Sequence, residues 1–298
     1  MKLALLKNIA CAHYDQLQIS EDTVDTIAQN TKNTWQPDRG SGEMHSNTKQ
    51  GKIAEVIVEE FIRRYYNKQL STLSYDKIRN DRNEKHAPFD LLIWRTGSTD
   101  IRPIVESIRA DISNTRDEFV RLSDATRRLC REAGVKIAEV KSTKIRPGLK
   151  ETAGFNGDYD DHVEVGRLLD AIMERDDIFC YPHYKREDAA PGYSMEDYCR
   201  FVRQCEPSLA MYRGEQLRKK VIDLEAEKQC CDVVIRVYLD TAAKRGYVIG
   251  WMSREKLLDY RVRFKHMPQK NKSEKALYLT KKLTEVEPID RISDLFSV

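Results

Sequence analysis

The spacing of apolar residues along the chain changes period several times, and each change predicts an element. Ile53, Ala54, Ile57, Val58, Phe61, Ile62 and Tyr65 recur at helical spacing. An amphipathic helix is therefore expected from Gly51 to about Tyr66, with Ser46 to Thr48 as cap candidates. The preceding stretch, residues 30–50, is rich in Gly, Asn, Ser and Thr and reads as a long loop. Two apolar runs then carry a strand signal: Phe89 to Trp94, bounded by Pro88 and Gly97, and Val135 to Val140, entered through Gly134. Between them, apolar residues at 105, 108, 112, 119, 122 and 129 and threonines at 115 and 126 step by three and four, the repeat of a helical seam. Continuous, Ile104 to Glu132 would be a rod of roughly 45 Å. It reads as a long helix or helical hairpin packed on its own domain, or as an arm that forms a dimer or straddles DNA.

Beyond Pro147 comes a loop with Gly154, Gly157 and three Asp, then a helix near Val165 to Met173 and a strand-like IFCYPHY. Ser194 to Gln204 reads as a capped helix. Val233, Ile235, Val237 and Leu239 alternate, and a short turn leads to GYVIGWM, so 232–252 predicts an antiparallel pair. Ser253 opens another helix with Glu255 in its first turn. No internal repeat is visible.

At 298 residues the chain is long enough for a sizeable core. No run of about 18 apolar residues occurs, which argues against a membrane span. Lys7 cuts the first apolar run far short of a secretory h-region. Seven cysteines form an odd set without paired spacing, so reduced thiols in a cytoplasm are expected rather than a disulfide framework. Cys180, His183, Cys199 and Cys205 lack the two short Cys-x-x-Cys knuckles of a zinc site. The net charge of +3 is too small to name a partner. It is, however, a sum of unlike regions. Six basic and six acidic residues balance within the seam, whereas Arg261 to Lys282 holds eight Lys or Arg against Glu274 alone. With Phe264 and Tyr278 interleaved, that stretch suits a phosphate-tracking surface, and Arg261, Arg263, Lys265, Lys270 and Lys272 are the candidate contacts.

The chemistry concentrates in the two strands. Side chains two apart share a face, so Glu139 and Lys141 point the same way while Val140 points into the core. Asp90 sits in the other apolar run, where an ionised carboxylate costs several kcal/mol unless paired or metal-bound. If the strands are neighbours, Asp90, Glu139 and Lys141 converge. Two carboxylates and the Val140 carbonyl suit Mg²⁺, with Mn²⁺ as a substitute, and an adjacent ammonium suits phosphodiester hydrolysis. Asp76, Asp81 and Asp100 lie in polar surroundings and look less well placed for metal.

Pro88-Phe89-Asp90 followed by Glu139-Val140-Lys141 resembles the PD-(D/E)xK pattern of the restriction-endonuclease-like nucleases. The segment Gln50-Gly51-Lys52-Ile53-Ala54-Glu55 is similar to the helix that precedes it in many restriction enzymes. The resemblance covers residues 50–150. It implies an α/β fold with a mixed central sheet flanked by helices, in the order helix, strand, strand with Asp, strand with Glu-x-Lys, helix, strand. It also implies that Glu55 helps place metal or its water, and that the chain is a Mg²⁺-dependent endonuclease of restriction or defence type. Its expected partner is double-stranded DNA, cut by a homodimer, with Ser142, Thr143 and Lys144 near the scissile phosphates. The 48 residues between Asp90 and Glu139 then require the seam to be an insertion between the catalytic strands. One nuclease domain, with the 104–133 insertion and a 205–298 extension, accounts for the length. A noncatalytic DNA-binding or assembly subunit on a degenerate core, and an exonuclease or RNA-directed relative, remain as alternatives.

Overall fold

The computed structural model describes residues 11–13, 41–117, 119–180, 184, 193–227, 231–258, 263–268 and 275–296. The chain divides into two compact units, where the sequence reading expected one domain with a C-terminal extension. The first comprises Met1–Met173, Cys231–Met252 and Glu287–Val298, and the second Glu174–Cys230 and Ser253–Val286. Residues 205–298 are thus shared between both. Among the described residues no helix is long and apolar enough to cross a membrane. Cys130, Cys199, Cys205 and Cys231 are not in disulfides.

The first unit is α/β. Its elements are β1 (Cys11–His13), α1 (Ser41–Tyr66), β2 (Leu70–Ser74), α2 (Tyr75–Ile78), β3 (Leu91–Arg95), α3 (Arg102–Asn114), α4 (Asp124–Glu132), β4 (Lys136–Lys144), α5 (Pro147–Thr152) and α6 (His162–Met173). After the second unit's first segment come β6 (Val233–Asp240) and β7 (Arg245–Ser253), and finally β10 (Glu287–Pro288). The sheet runs β1-β7-β6-β4-β3-β2, with β10 also on β7, and is open and mixed. β2, β3 and β4 form an antiparallel meander, and β4 pairs with β6 in parallel. Only Thr241 to Lys244 join the neighbouring β6 and β7, a link too short for a parallel pair, so they form the expected antiparallel hairpin. Every residue of β6 is buried, because a central strand is covered on both faces.

One face of the sheet carries α1. Ile53, Ala54, Ile57, Val58, Phe61 and Ile62 pack on Leu91 and Ile93 of β3, Ala138 and Val140 of β4, and the apolar residues of β6. The helix begins ten residues earlier than its periodicity predicts, so Ser46 to Thr48 are helical turns rather than caps. Tertiary bonds tie these polar turns down. The Gln50 amide donates to Ser142 Oγ and the Lys144 ammonium to Ser46 Oγ, each at 3.0 Å. The helix also comes close to β7. A Cβ on Gly246 would stand 2.3 Å from Ile57 Cδ1 and 3.1 Å from Leu239 Cδ2. Gly246→Val should therefore overpack the contact and cost about 1–3 kcal/mol in urea unfolding; an unchanged midpoint would contradict the close approach.

The opposite face carries the insertion, which is a helical hairpin rather than a rod. Ile104, Ile108 and Ile112 of α3 and Cys130 of α4 bury against Phe89, Leu92, Trp94 and Ile137. Positions 108, 112, 122 and 126 of the seam read from sequence are buried, whereas Ile104, Val120 and Cys130 are buried in place of Val105, Phe119 and Leu129, and Phe119 is exposed. Helix α3 ends at Asn114 and α4 begins at Asp124, and polar side chains tie the two together. Asp111 accepts from Ser123 N at 2.9 Å and from the fully buried Thr126 hydroxyl at 2.6 Å, and Ser107 and Thr126 share a hydrogen bond at 2.7 Å. Asp111→Ala removes an acceptor shared by a buried hydroxyl and an amide, at a cost of about 1 kcal/mol. Amide exchange in α4 should accelerate relative to β4; equal protection in variant and wild type would refute the latch.

The second unit holds an antiparallel sheet of β5 (Asp176–Cys180), β9 (Lys275–Lys282) and β8 (Arg263–Pro268), in the order β5-β9-β8. Beside it in sequence are α7 (Met195–Cys205), α8 (Gly214–Glu227) and α9 (Arg254–Leu258). Helix α7 starts at the expected Ser194, whose hydroxyl accepts from Asp197 N while Asp197 accepts from Ser194 N, a capping box. Tyr198, Cys199 and Val202 of α7 pack on Leu217 and Val221 of α8.

Candidate active site

The register of β3 and β4 decides whether the sequence candidates meet. Leu91 stands opposite Ala138 and Leu92 opposite Ile137, so Asp90, one residue before β3, faces Glu139. Asp90 N donates to Ala138 O at 3.1 Å, and Asp90 Oδ2 accepts from Val140 N at 2.6 Å. The aspartate therefore closes the end of the ladder with its side chain. The expected strand from Phe89 starts at Leu91 instead, and this late start frees the Asp90 carboxylate for that bond. Glu139 and Lys141 share a face and form an ion pair, while Val140 is buried in the α1 core, as the alternation requires. The N–H and C=O of one strand residue leave on the same side, so the Val140 carbonyl points toward Asp90's side of β4.

Two further residues belong to this cluster. Lys52, one helical turn before Glu55 on α1, bonds Glu55 Oε2 at 2.7 Å and Asp76 Oδ2 at 2.8 Å. Asp76 lies on α2, immediately after β2, and its other carboxylate oxygen is buried with no hydrogen-bond partner. Polar sequence neighbours make Asp76 look poorly placed for metal, but the fold brings it to the site. Lys52 carried a signal that was readable, since positions three apart on a helix share a face with the glutamate. Asp76 carried none. Asp81 pairs with Arg79 at 2.7 Å, whose guanidinium also lies 3.6 Å from Asp76, and Asp100 pairs with Arg102 at 2.7 Å.

The electrostatics are those of too little positive charge for the carboxylates present. Burial raises Glu55 to about 7, with repulsion from Asp76 and Glu139 adding to it and Lys52 opposing it. Burial likewise raises Asp90 well above the usual carboxylate range, reinforced by Glu139 and Glu55 and opposed by Lys141 and Lys52. For Lys52, burial alone would lower the pKa, but Glu55, Asp76 and Asp90 together raise it, so the ammonium stays charged. Four carboxylates thus surround two ammonium groups.

Oxygen-only donors with surplus negative charge fit a hard divalent cation. Among the described residues no group of three or more His, Cys, Asp or Glu side chains is arranged to hold a metal ion by itself. The set is instead an open one of two carboxylates and a carbonyl, the kind Mg²⁺ uses because it keeps several of its waters. Of the expected phosphate contacts, Ser142 and Lys144 hold α1, and Thr143 Oγ1 accepts from Arg236 at 2.5 Å. Arg263 and Lys265 lie on β8, and Arg261, Lys270 and Lys272 lie outside the described residues. No protein-family profile, curated protein or solved structure matches the chain.

Proposed function

We propose that this chain is a Mg²⁺-dependent DNA endonuclease of the PD-(D/E)xK, restriction-endonuclease-like type, with Mn²⁺ as a substitute ion. The observation that carries the reading is the β3–β4 register, which sets Asp90 against Glu139 with Lys141 on the same face. The order of elements supports it: α1, β2, β3 entered through Asp90, β4 with Glu139 and Lys141, then helices and the parallel β6. The insertion that the long Asp90 to Glu139 separation requires is the α3–α4 hairpin.

In this reading Asp90, Glu139 and the Val140 carbonyl hold the ion. Bound there, a divalent cation would polarise the scissile phosphate and lower the pKa of a coordinated water. Lys141 orients the attacking water and offsets charge on the phosphate oxygens, and displacement in line breaks one P–O bond. Glu55 acts from α1, through its charge, on the same carboxylates. The basic stretch from Arg261 to Lys282 supplies phosphate contacts that give affinity without sequence information. Cutting both strands of a duplex calls for two such sites, hence a homodimer. Digestion of supercoiled plasmid with Mg²⁺ tests the reading. Salt-sensitive DNA binding without any Mg²⁺-dependent cutting would replace it with a noncatalytic DNA-binding subunit.

A further inference from the structure

Lys52 is placed where a second cation would be expected in a site with this many carboxylates. Its ammonium bridges Glu55 and Asp76 at 2.7 and 2.8 Å, from a side chain only 15% exposed. Glu55 is one turn away on the same helix, and Asp76 is fixed at the end of β2 by the short helix that starts at Tyr75. The second half of the cluster has the same composition: two carboxylates, Asp90 and Glu139, and one ammonium, Lys141. Arg79 stands 3.6 Å from Asp76 but is closer to Asp81, at 2.7 Å, so that pair leaves the balance unchanged.

We propose that Lys52 takes the place of a second divalent cation, so that the site binds a single divalent ion, on the Asp90 and Glu139 side. The inference rests on the nuclease reading for its location and goes beyond it in assigning the stoichiometry. The argument is charge balance in a partly dehydrated space, where uncompensated charge is costly. With all four carboxylates ionised, as an ion bound among them requires, they and the two ammonium groups carry two surplus negative charges, which one divalent ion neutralises. A second ion would leave the cluster two charges positive, with the Lys52 ammonium already on the oxygens it would need. Lys52 is thus a positioning residue: it holds Glu55 and Asp76 away from the ion and limits the site to one.

The test is divalent-ion stoichiometry on the full chain without DNA, by isothermal titration calorimetry with Ca²⁺ and again with Mn²⁺. The wild type should bind one ion at this cluster. Lys52→Met should bind two, the second lost again in Lys52→Met combined with Asp76→Asn. Lys52→Arg, which keeps the charge, should restore one. Two ions on the wild type, or none, would overturn the proposal, as would a single ion of unchanged affinity on a Lys52→Met variant whose circular dichroism matches wild type. If Lys52→Met fails to fold, Lys52→Arg and wild type still decide, because two ions on either is incompatible with the assignment. Plasmid cutting is scored separately: a chain that binds one ion and cuts nothing sinks the nuclease reading and leaves this stoichiometry standing.

Discussion

Asp90→Ala and Lys141→Ala should each lower Mg²⁺-dependent plasmid cutting by about 1,000-fold or more. Asp90 is asked to do two things at once. Its Oδ2 accepts from Val140 N at 2.6 Å, which fixes the end of the β3–β4 ladder, and its carboxylate faces Glu139. In the proposed site, removing it withdraws one of the two acidic groups that would hold the ion, and charge stabilisation by a metal is worth several kcal/mol at about 1.4 kcal/mol per factor of ten. Lys141 pairs with Glu139 and carries one of the two ammonium groups in the cluster. Its loss removes the group that orients water and leaves the carboxylates less compensated, so metal affinity should rise while turnover falls. Asp90→Asn separates ligand from ladder, since an amide oxygen can still accept from Val140 N; it should keep the fold and lose the cutting. Equal cutting by wild type, Asp90→Ala and Lys141→Ala would sink the assignment.

Stability in the absence of divalent ions should fall as pH rises from 5 to 8, and Glu55 should account for about 3 kcal/mol of the fall. Burial raises the Glu55 carboxyl from 4.5 to about 7 in the folded chain. Between those values the folded state holds a proton that the unfolded state has released, so deprotonation with rising pH favours unfolding. The contribution is complete below the unfolded pKa and is lost as pH passes through the folded one. A shift of this size corresponds to about 3 kcal/mol. Asp90, also raised, adds to the slope in the same direction. Urea unfolding of wild type and Glu55→Gln at pH 5 and pH 8, with chelator present, isolates the Glu55 part. The stability difference between the two proteins should change by about 3 kcal/mol across that range, to the variant's advantage at pH 8. Parallel slopes would show that Glu55 ionises normally.

The same contrast between local and distant information separates what could be read early from what could not. The α1 periodicity was legible because Ile53, Ile57, Phe61 and their neighbours face one apolar layer for four turns. Its first ten residues were not, because polar residues such as Ser46 and Gln50 are held helical by β4, more than ninety positions away in the chain. The seam between β3 and β4 is legible as helical, but its division into α3 and α4 depends on Asp111 accepting from Ser123 N and the Thr126 hydroxyl. The two compact units were invisible in composition, since the first is assembled from three separate stretches of chain.

The sequence by itself determined that Glu139 and Lys141 share a face with Val140 buried behind them, because the two-residue period of a strand is a property of the backbone alone. It also determined that Asp90, in an apolar run, needed a partner. Which partner was a matter of register between strands separated by the α3–α4 hairpin, and only the tertiary structure decided it. The same holds for the cation. Lys52 and Asp76 lie on different elements, and an ion pair between them exists only once α1 is laid across the sheet beside the end of β2. Periodicity is written locally; convergence of charge is a consequence of packing.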